Sequence, residues 1–173
     1  MHSYGKECAM ASESLKNVRI VRLPAMDVAA YCAVSETPER DCAEVFNAYV
    51  LENGLHLKGA YRCFGFNNPS PSESSPVYGY ELWASLPEGF AVSEPMQIKR
   101  FGGGLFASIS SQMDEIGERW MLLYEWCQNS ADFEYDHAGQ WLEECSMGLE
   151  DFMSEEIADA CKQLDLLAPI KRK

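Results

Sequence analysis

The sequence predicts an α+β domain built from two β-α-β-β modules, and three observations predict it. Hydrophobic periodicity and turn residues spell the order strand, strand, helix, strand, strand once over 17–92 and again over 96–171. Short stretches of the halves can be laid on each other: Ile20-Val21-Arg22-Leu23-Pro24 on Ile98-Lys99-Arg100-Phe101-Gly102, and Leu86-Pro87 on Ala168-Pro169. A module whose one helix covers one sheet face must bury its remaining apolar surface against its twin, which predicts a single joined core over 17–171 with a groove between halves.

Val18 to Leu23 and Val28 to Val34 read as strands separated by a turn at Pro24. Thr37-Pro38 is a helix start and Asn53-Gly54 a stop. Between them Cys42, Val45, Phe46, Tyr49 and Val50 form one apolar stripe, while Glu39, Asp41, Glu44 and Glu52 form a solvated acidic face. Tyr61 to Phe66 is a strand, 67–76 a Pro/Ser/Asn-rich loop, and Tyr78 to Leu86 a strand closed by Pro87-Glu88-Gly89. In the second half Gln97 to Phe101 and Leu105 to Ser110 are strands joined through Gly102-Gly103-Gly104. Ser111 and Asp114 resemble a capping box before a helix carrying Met113, Ile116, Trp120, Leu123, Tyr124 and Cys127. Trp141 to Cys145 reads as a strand, Met153 to Gln163 as a helix and Leu164 to Ile170 as the last strand. Residues 1–16 show no sustained period and are expected to form a flexible leader.

Composition bounds the function. The chain has 173 residues, 47% of them hydrophobic and 24% charged, which suits one globular domain and excludes a wholly disordered or collagen-like chain. A net charge of −13 repels phosphate backbones and anionic lipid, so neither nucleic acid nor membrane is an expected direct partner. Seven cysteines without a C-x-x-C pair read as thiols in a reducing compartment, and the start lacks a signal-peptide h-region, so a cytoplasmic protein is expected. His2, His56 and His137 are dispersed, and neither G-x-S-x-G nor a P-loop occurs. No metal, cofactor or nucleophilic triad is expected.

Alternation places Tyr78, Tyr80, Leu82, Ala84 and Leu86 on one strand face and Glu81 with Trp83 on the other. Trp141, Glu143 and Cys145 share a face in the second half. Each module is thereby expected to offer a Trp and a Glu to one cleft, where indole faces attract cations and a desolvated carboxylate either pairs with a positive ligand or protonates. The structural alternative is an exposed rim for these pairs and plain core packing for Trp120 and Tyr124.

The strand-turn-strand Val18-Arg-Ile-Val-Arg-Leu-Pro-Ala-Met-Asp-Val-Ala29, the Tyr78-Gly-Tyr-Glu-Leu-Trp83 strand, the Phe101-Gly-Gly-Gly-Leu-Phe-Ala107 turn, the Trp120-Met-Leu-Leu-Tyr-Glu-Trp126 helix, Trp141-Leu-Glu-Glu-Cys145 and Leu164-Asp-Leu-Leu-Ala-Pro-Ile-Lys171 together resemble the GyrI-like small-molecule-binding family. That family includes effector-binding domains of AraC-type and multidrug-responsive regulators. The resemblance implies modules related by a pseudo-twofold, helices packed outside an antiparallel sheet, and a central cleft for aromatic or lipophilic, often cationic, compounds around a buried glutamate. Leu142-Glu143-Glu144-Cys145 matches the family's glutamate strand, with Cys145 where an aromatic is usual. The ligand-binding candidates are Glu143, Glu81, Trp83, Trp141, Tyr80, Trp120 and Tyr31. Two further roles follow from the resemblance. One is a hydrolase of cyclopropane-type electrophiles with Glu143 as its catalytic carboxylate. The other is a protein-interaction factor acting on gyrase or a regulator.

Overall fold

The computed structural model describes residues 17–173, so the expected leader and Cys8 lie outside the described residues. Among the described residues nine strands form one antiparallel sheet: β1 (Arg19–Leu23), β2 (Met26–Ser35), β3 (Cys63–Asn67), β4 (Tyr78–Ser85), β5 (Gln97–Phe101), β6 (Gly104–Gln112), β7 (Phe133–Tyr135), β8 (Leu142–Cys145) and β9 (Gln163–Arg172). Helices α1 (Pro38–Glu52), α2 (Ile116–Asn129) and the short α3 (Leu149–Met153) complete it. Strand order is β1-β6-β9-β8-β3-β4-β2-β5, with β7 on β9. Exchanging β1 with β5, β2 with β6, β3 with β8 and β4 with β9 turns that order into its own reverse. The two modules are thus related by a pseudo-twofold at the β3–β8 seam, where Phe64 faces Glu144 and Gly65 faces Glu143.

Each module lends its first strand to the other, β1 to β6 and β5 to β2. The two crossing turns touch at Gly103, whose φ of 72° and whose approach to the Leu23 carbonyl leave no room for a β-carbon. The sheet curls around one apolar cluster that includes Phe64, Phe66, Trp83, Phe106, Leu142 and Leu167. Phe101 closes that cluster, with ring centroids 5.7 Å from Trp83 and 6.3 Å from Phe106. On the other face α1 packs Phe46, Tyr49 and Val50 over Ala29 and Ala84, and α2 packs Leu123 and Cys127 over Ile109 and Leu166. A fully buried Phe such as Phe46 or Phe64 contributes about 1.5–3 kcal/mol of transfer energy, so both faces are needed for stability.

Three local expectations are corrected. The helix expected over Met153 to Gln163 is replaced by α3, which ends at Met153, and one 3-10 turn, Asp159–Cys161. Met153, Ile157 and Cys161 make a stripe one residue wide, with Cys161 exposed, and β9 takes the chain into extended pairing from Gln163. No capping box forms: the Ser111 hydroxyl donates to the Gln112 carbonyl, and α2 begins at Ile116 after a 3-10 turn. β7 lies in a stretch where no strand is expected; three residues paired only with the end of β9 are too few to show a period. No helix among the described residues is long and apolar enough to cross a membrane.

Candidate functional site

On the helix-bearing face, a cavity of about 570 Å³ lies over the seam between the modules. Its floor is Gly65 and Asn67 of β3, Tyr80 and Leu82 of β4, and Glu143 and Cys145 of β8. Glu39, Arg40, Ala43 and Asn47 of α1 form one wall. Met113 and Ile116 form another, and Phe152 and Met153 cover the third side. The lining is mostly apolar with a few convergent polar groups, the usual character of a small-molecule site.

Strand register decides which residues meet here. Leu82, Gly65 and Glu143 stand in one cross-strand row and so share a face. Glu81 stands in the next row, beside Phe66, and faces the other way. Glu81 and Trp83 therefore lie on the far side of the sheet from Glu143, and the expected pooling of two Trp/Glu pairs in one cleft does not occur. Tyr31 packs against the α1-covered cluster without lining the cavity.

Glu143 is held by two donors. The Tyr80 hydroxyl donates to its Oε2 at 2.7 Å, and the Trp120 indole donates to its Oε1 at 3.2 Å. Burial pushes the Glu143 carboxyl above the usual range. The bonds from Tyr80 and Trp120 work against that rise, while the Glu39 carboxylate adds to it. Burial, followed by the Glu143 charge, raises the Tyr80 phenol well above its ordinary value and keeps it a donor. Glu143 and Asn67 also border a smaller hollow of about 240 Å³ that contains Trp120 and Trp141. Those two indoles meet edge to face, centroids 5.1 Å apart. Four of the seven candidates, Glu143, Tyr80, Trp120 and Trp141, thus converge around one carboxylate.

Gly65 makes the central bond possible. A β-carbon there would collide with the Tyr80 hydroxyl, so the bare backbone lets the phenol lie across β3 to reach Glu143. Gly65→Ala is expected to displace Tyr80 and cost about 1–2 kcal/mol in a urea melt.

Glu81, Glu143 and Glu144, the three glutamates carried by β4 and β8, differ in their partners. Glu81, 1% exposed, accepts from Lys99 Nζ (2.5 Å), Trp83 Nε1 (2.6 Å) and Asn68 Nδ2 (2.7 Å). Burial opposes its charge, but these three donors outweigh burial and hold the carboxyl below the usual range. Glu144 receives a two-pronged contact from Arg62 at 2.6 and 2.8 Å. Glu143 has no Lys or Arg partner among the described residues.

Sequence reasoning did not single out Glu39, Arg40, Asn47, Gly65 or Phe152. Glu39 reads as part of a solvated acidic face, yet it stands at the cavity rim, where the Tyr78 hydroxyl donates to both its oxygens at 2.8 Å. The one signal for Glu39 is its place in the first turn of α1, the turn nearest the end of β2. No group of three or more His, Cys, Asp or Glu converges in metal-binding fashion among the described residues.

A family model described as integron-associated effector binding protein matches residues 19–170. Among curated proteins none matches in sequence. Solved structures match in fold. The EcmrR C-terminal domain aligns with a TM-score of 0.65 at 8% identity, covering 90% of this chain and 98% of that one. A protein from Listeria innocua described as a hydrolase gives 0.61 at 10% identity, covering 97% and 98%. SAV2435 bound to tetraphenylphosphonium gives 0.52 at 8% identity, covering 89% and 93%. These likenesses extend over nearly the whole described chain and are likenesses of fold.

Proposed function

Because the chain belongs to the integron-associated effector-binding family, and with it to the GyrI-like domains, we propose that its small-molecule ligand is a lipophilic aromatic cation seated in the 570 Å³ cavity with its charge toward Glu143. One observation carries the reading: Glu81 and Glu144 each have an internal cation, and Glu143, half-buried between two hollows, has none among the described residues. A desolvated carboxylate without a counter-charge is costly, and a cationic ligand offsets that cost on binding. Apolar walls, Leu82, Ile116, Phe152 and Leu164 among them, supply contact area for the aromatic part of the ligand. The SAV2435 neighbour, captured with tetraphenylphosphonium, supports the choice of that cation as a probe.

Titration with tetraphenylphosphonium should quench tryptophan emission saturably and raise the melting temperature, since ligand binds the native state. Triphenylphosphine oxide, neutral and of similar bulk, should bind far more weakly. Equal binding of the two would overturn the role given to charge.

The raised pKa of Glu143 and the phenol beside it support a second reading, in which Glu143 accepts a proton from water attacking a strained electrophile. Turnover of a cyclopropane-bearing compound by the wild type, lost in Glu143→Gln with binding intact, is the result that favours this reading over sequestration or sensing.

A further inference from the structure

Two thiols stand side by side in the floor of the main cavity. Cys63 opens β3 and Cys145 closes β8. Continuing the seam register one step beyond Phe64 and Glu144 sets them opposite each other, in a row with Ala84 of β4 and Leu164 of β9. That row lies two residues along each strand from Gly65 and Glu143, so both side chains project to the same face, and both line the cavity. Directly opposed residues hold their β-carbons about 4.5–5.5 Å apart, close enough for one soft atom to bridge the two sulfurs. Both thiols are free.

Cys145 is half-buried and Cys63 is 7% exposed. Burial, and after it the Cys145 neighbour, pushes the Cys63 thiol up to about 12, and burial raises Cys145 as well. Both stay protonated, which suppresses thiolate reactions such as alkylation and peroxide oxidation. Exchange at trivalent arsenic proceeds from the neutral thiol, because the thiol proton leaves with the displaced hydroxide. No group of three or more His, Cys, Asp or Glu converges here among the described residues, so a three-coordinate centre bridging the pair keeps one substituent of its own. That substituent meets Leu82, Ile116, Phe152 and Leu164, walls suited to an aromatic ring. We propose that Cys63 and Cys145 form a dithiol site for monoaryl trivalent arsenicals, Ar–As(OH)2, with arsenic bridging the two sulfurs and the aryl group lying in the apolar part of the cavity. The reaction runs in two exchanges. The more exposed Cys145 forms an As–S bond as an As–O bond breaks, and its proton leaves with the hydroxide as water. Cys63 then closes the bridge within the protein and releases a second water. Arsenic stays trivalent throughout, and nothing is oxidised. No charge on Glu143 takes part, so the site is independent of the cation proposed for the same cavity.

The test adds phenylarsonous acid to the full chain, challenges it with excess 2-mercaptoethanol and reads the arsenic retained by intact-mass spectrometry. A monothiol strips arsenic from a single cysteine but competes poorly with a bridged pair, whose second sulfur acts at high effective concentration. The wild-type protein should keep one phenylarsenic group per chain, with both thiol hydrogens lost. Cys63→Ser and Cys145→Ser should each release it at about 100-fold lower monothiol concentration. Methylarsonous acid, with the same bridge and no ring, should be held about tenfold more weakly. Digestion of the wild-type adduct needs no variant: arsenic should join the fragments that carry Cys63 and Cys145. Complete release from the wild type, retention unchanged in either serine variant, or a bridge mapped to other cysteines overturns the dithiol site. Equal retention of the phenyl and methyl forms overturns the placement of the ring. Titration with tetraphenylphosphonium reads the cation separately, so either reading can fail while the other stands.

Discussion

Glu143→Gln is expected to raise the melting temperature of the free protein at neutral pH while weakening binding of tetraphenylphosphonium by about 10- to 100-fold. The loss of affinity follows from replacing a charge-assisted contact, about 1.5–3 kcal/mol, by a neutral one at nearly constant shape. The gain in stability follows from linkage. Burial raises the Glu143 carboxyl in the native state, so between its unfolded and native pKa the native protein holds the extra proton. Stability contributed by this group therefore falls as pH rises through that window, and the deficit persists above it. Glutamine carries no such deficit. The melting-temperature difference between variant and wild type should be full above the raised native pKa and vanish below about pH 4, where the unfolded carboxyl is also protonated. Cation affinity has the opposite slope: it should rise with pH through the native pKa, because the cation needs the carboxylate. Thermal melts and fluorescence titrations over one pH series read both. A variant less stable than wild type at pH 8 contradicts the account of Glu143 as an uncompensated acid, and unchanged affinity removes it from the binding site.

Much of this arrangement is legible in the sequence because local and global signals agree there. α1 is bracketed by Thr37-Pro38 and Asn53-Gly54, and Cys42, Phe46, Tyr49 and Val50 of its apolar stripe are all buried. Glu143 is reached because strand alternation sets it beside Trp141, and Trp120 because it holds a helical period. What alternation leaves open is the phase between strands. Tyr80 and Glu81 are adjacent in β4, and which of them meets Glu143 depends on the pairing of β3 with both β4 and β8, a non-local fact. The α1 wall is hidden for a related reason: Glu39 and Arg40 resemble any solvated helix face until the curl of the sheet sets the cavity against them.

Lys99→Met is expected to destabilise the protein by about 2–3 kcal/mol although Lys99 lies on the edge strand β5. Its ammonium is the one cation bonded to Glu81 among the described residues, and Glu81 is the most deeply buried of the three glutamates. Removing one partner of such a pair leaves a charge in an apolar setting beside Phe66 and Trp83. The loss stays at the lower end for buried pairs because the Lys99 side chain, 42% exposed, keeps solvent contact, and because Trp83 and Asn68 still donate to the carboxylate. The pH dependence runs opposite to that of Glu143. The native Glu81 carboxyl is held below its unfolded value, so its contribution is complete above the unfolded pKa and is lost as pH falls through the native one. Lys99→Met should remove that acid-side loss, so variant and wild type come together only once pH has fallen through the lowered native pKa of Glu81. Glu81→Gln in the Lys99→Met background should recover most of the stability at pH 7, since the amide oxygen can still accept from Trp83 without carrying charge. Urea melts of the single and double variants separate the cost of an unpaired charge from that of a lost contact. If the double variant is no more stable than Lys99→Met alone, Lys99 acts through the packing of its aliphatic stem across β5, and Glu81 tolerates the loss of its cation.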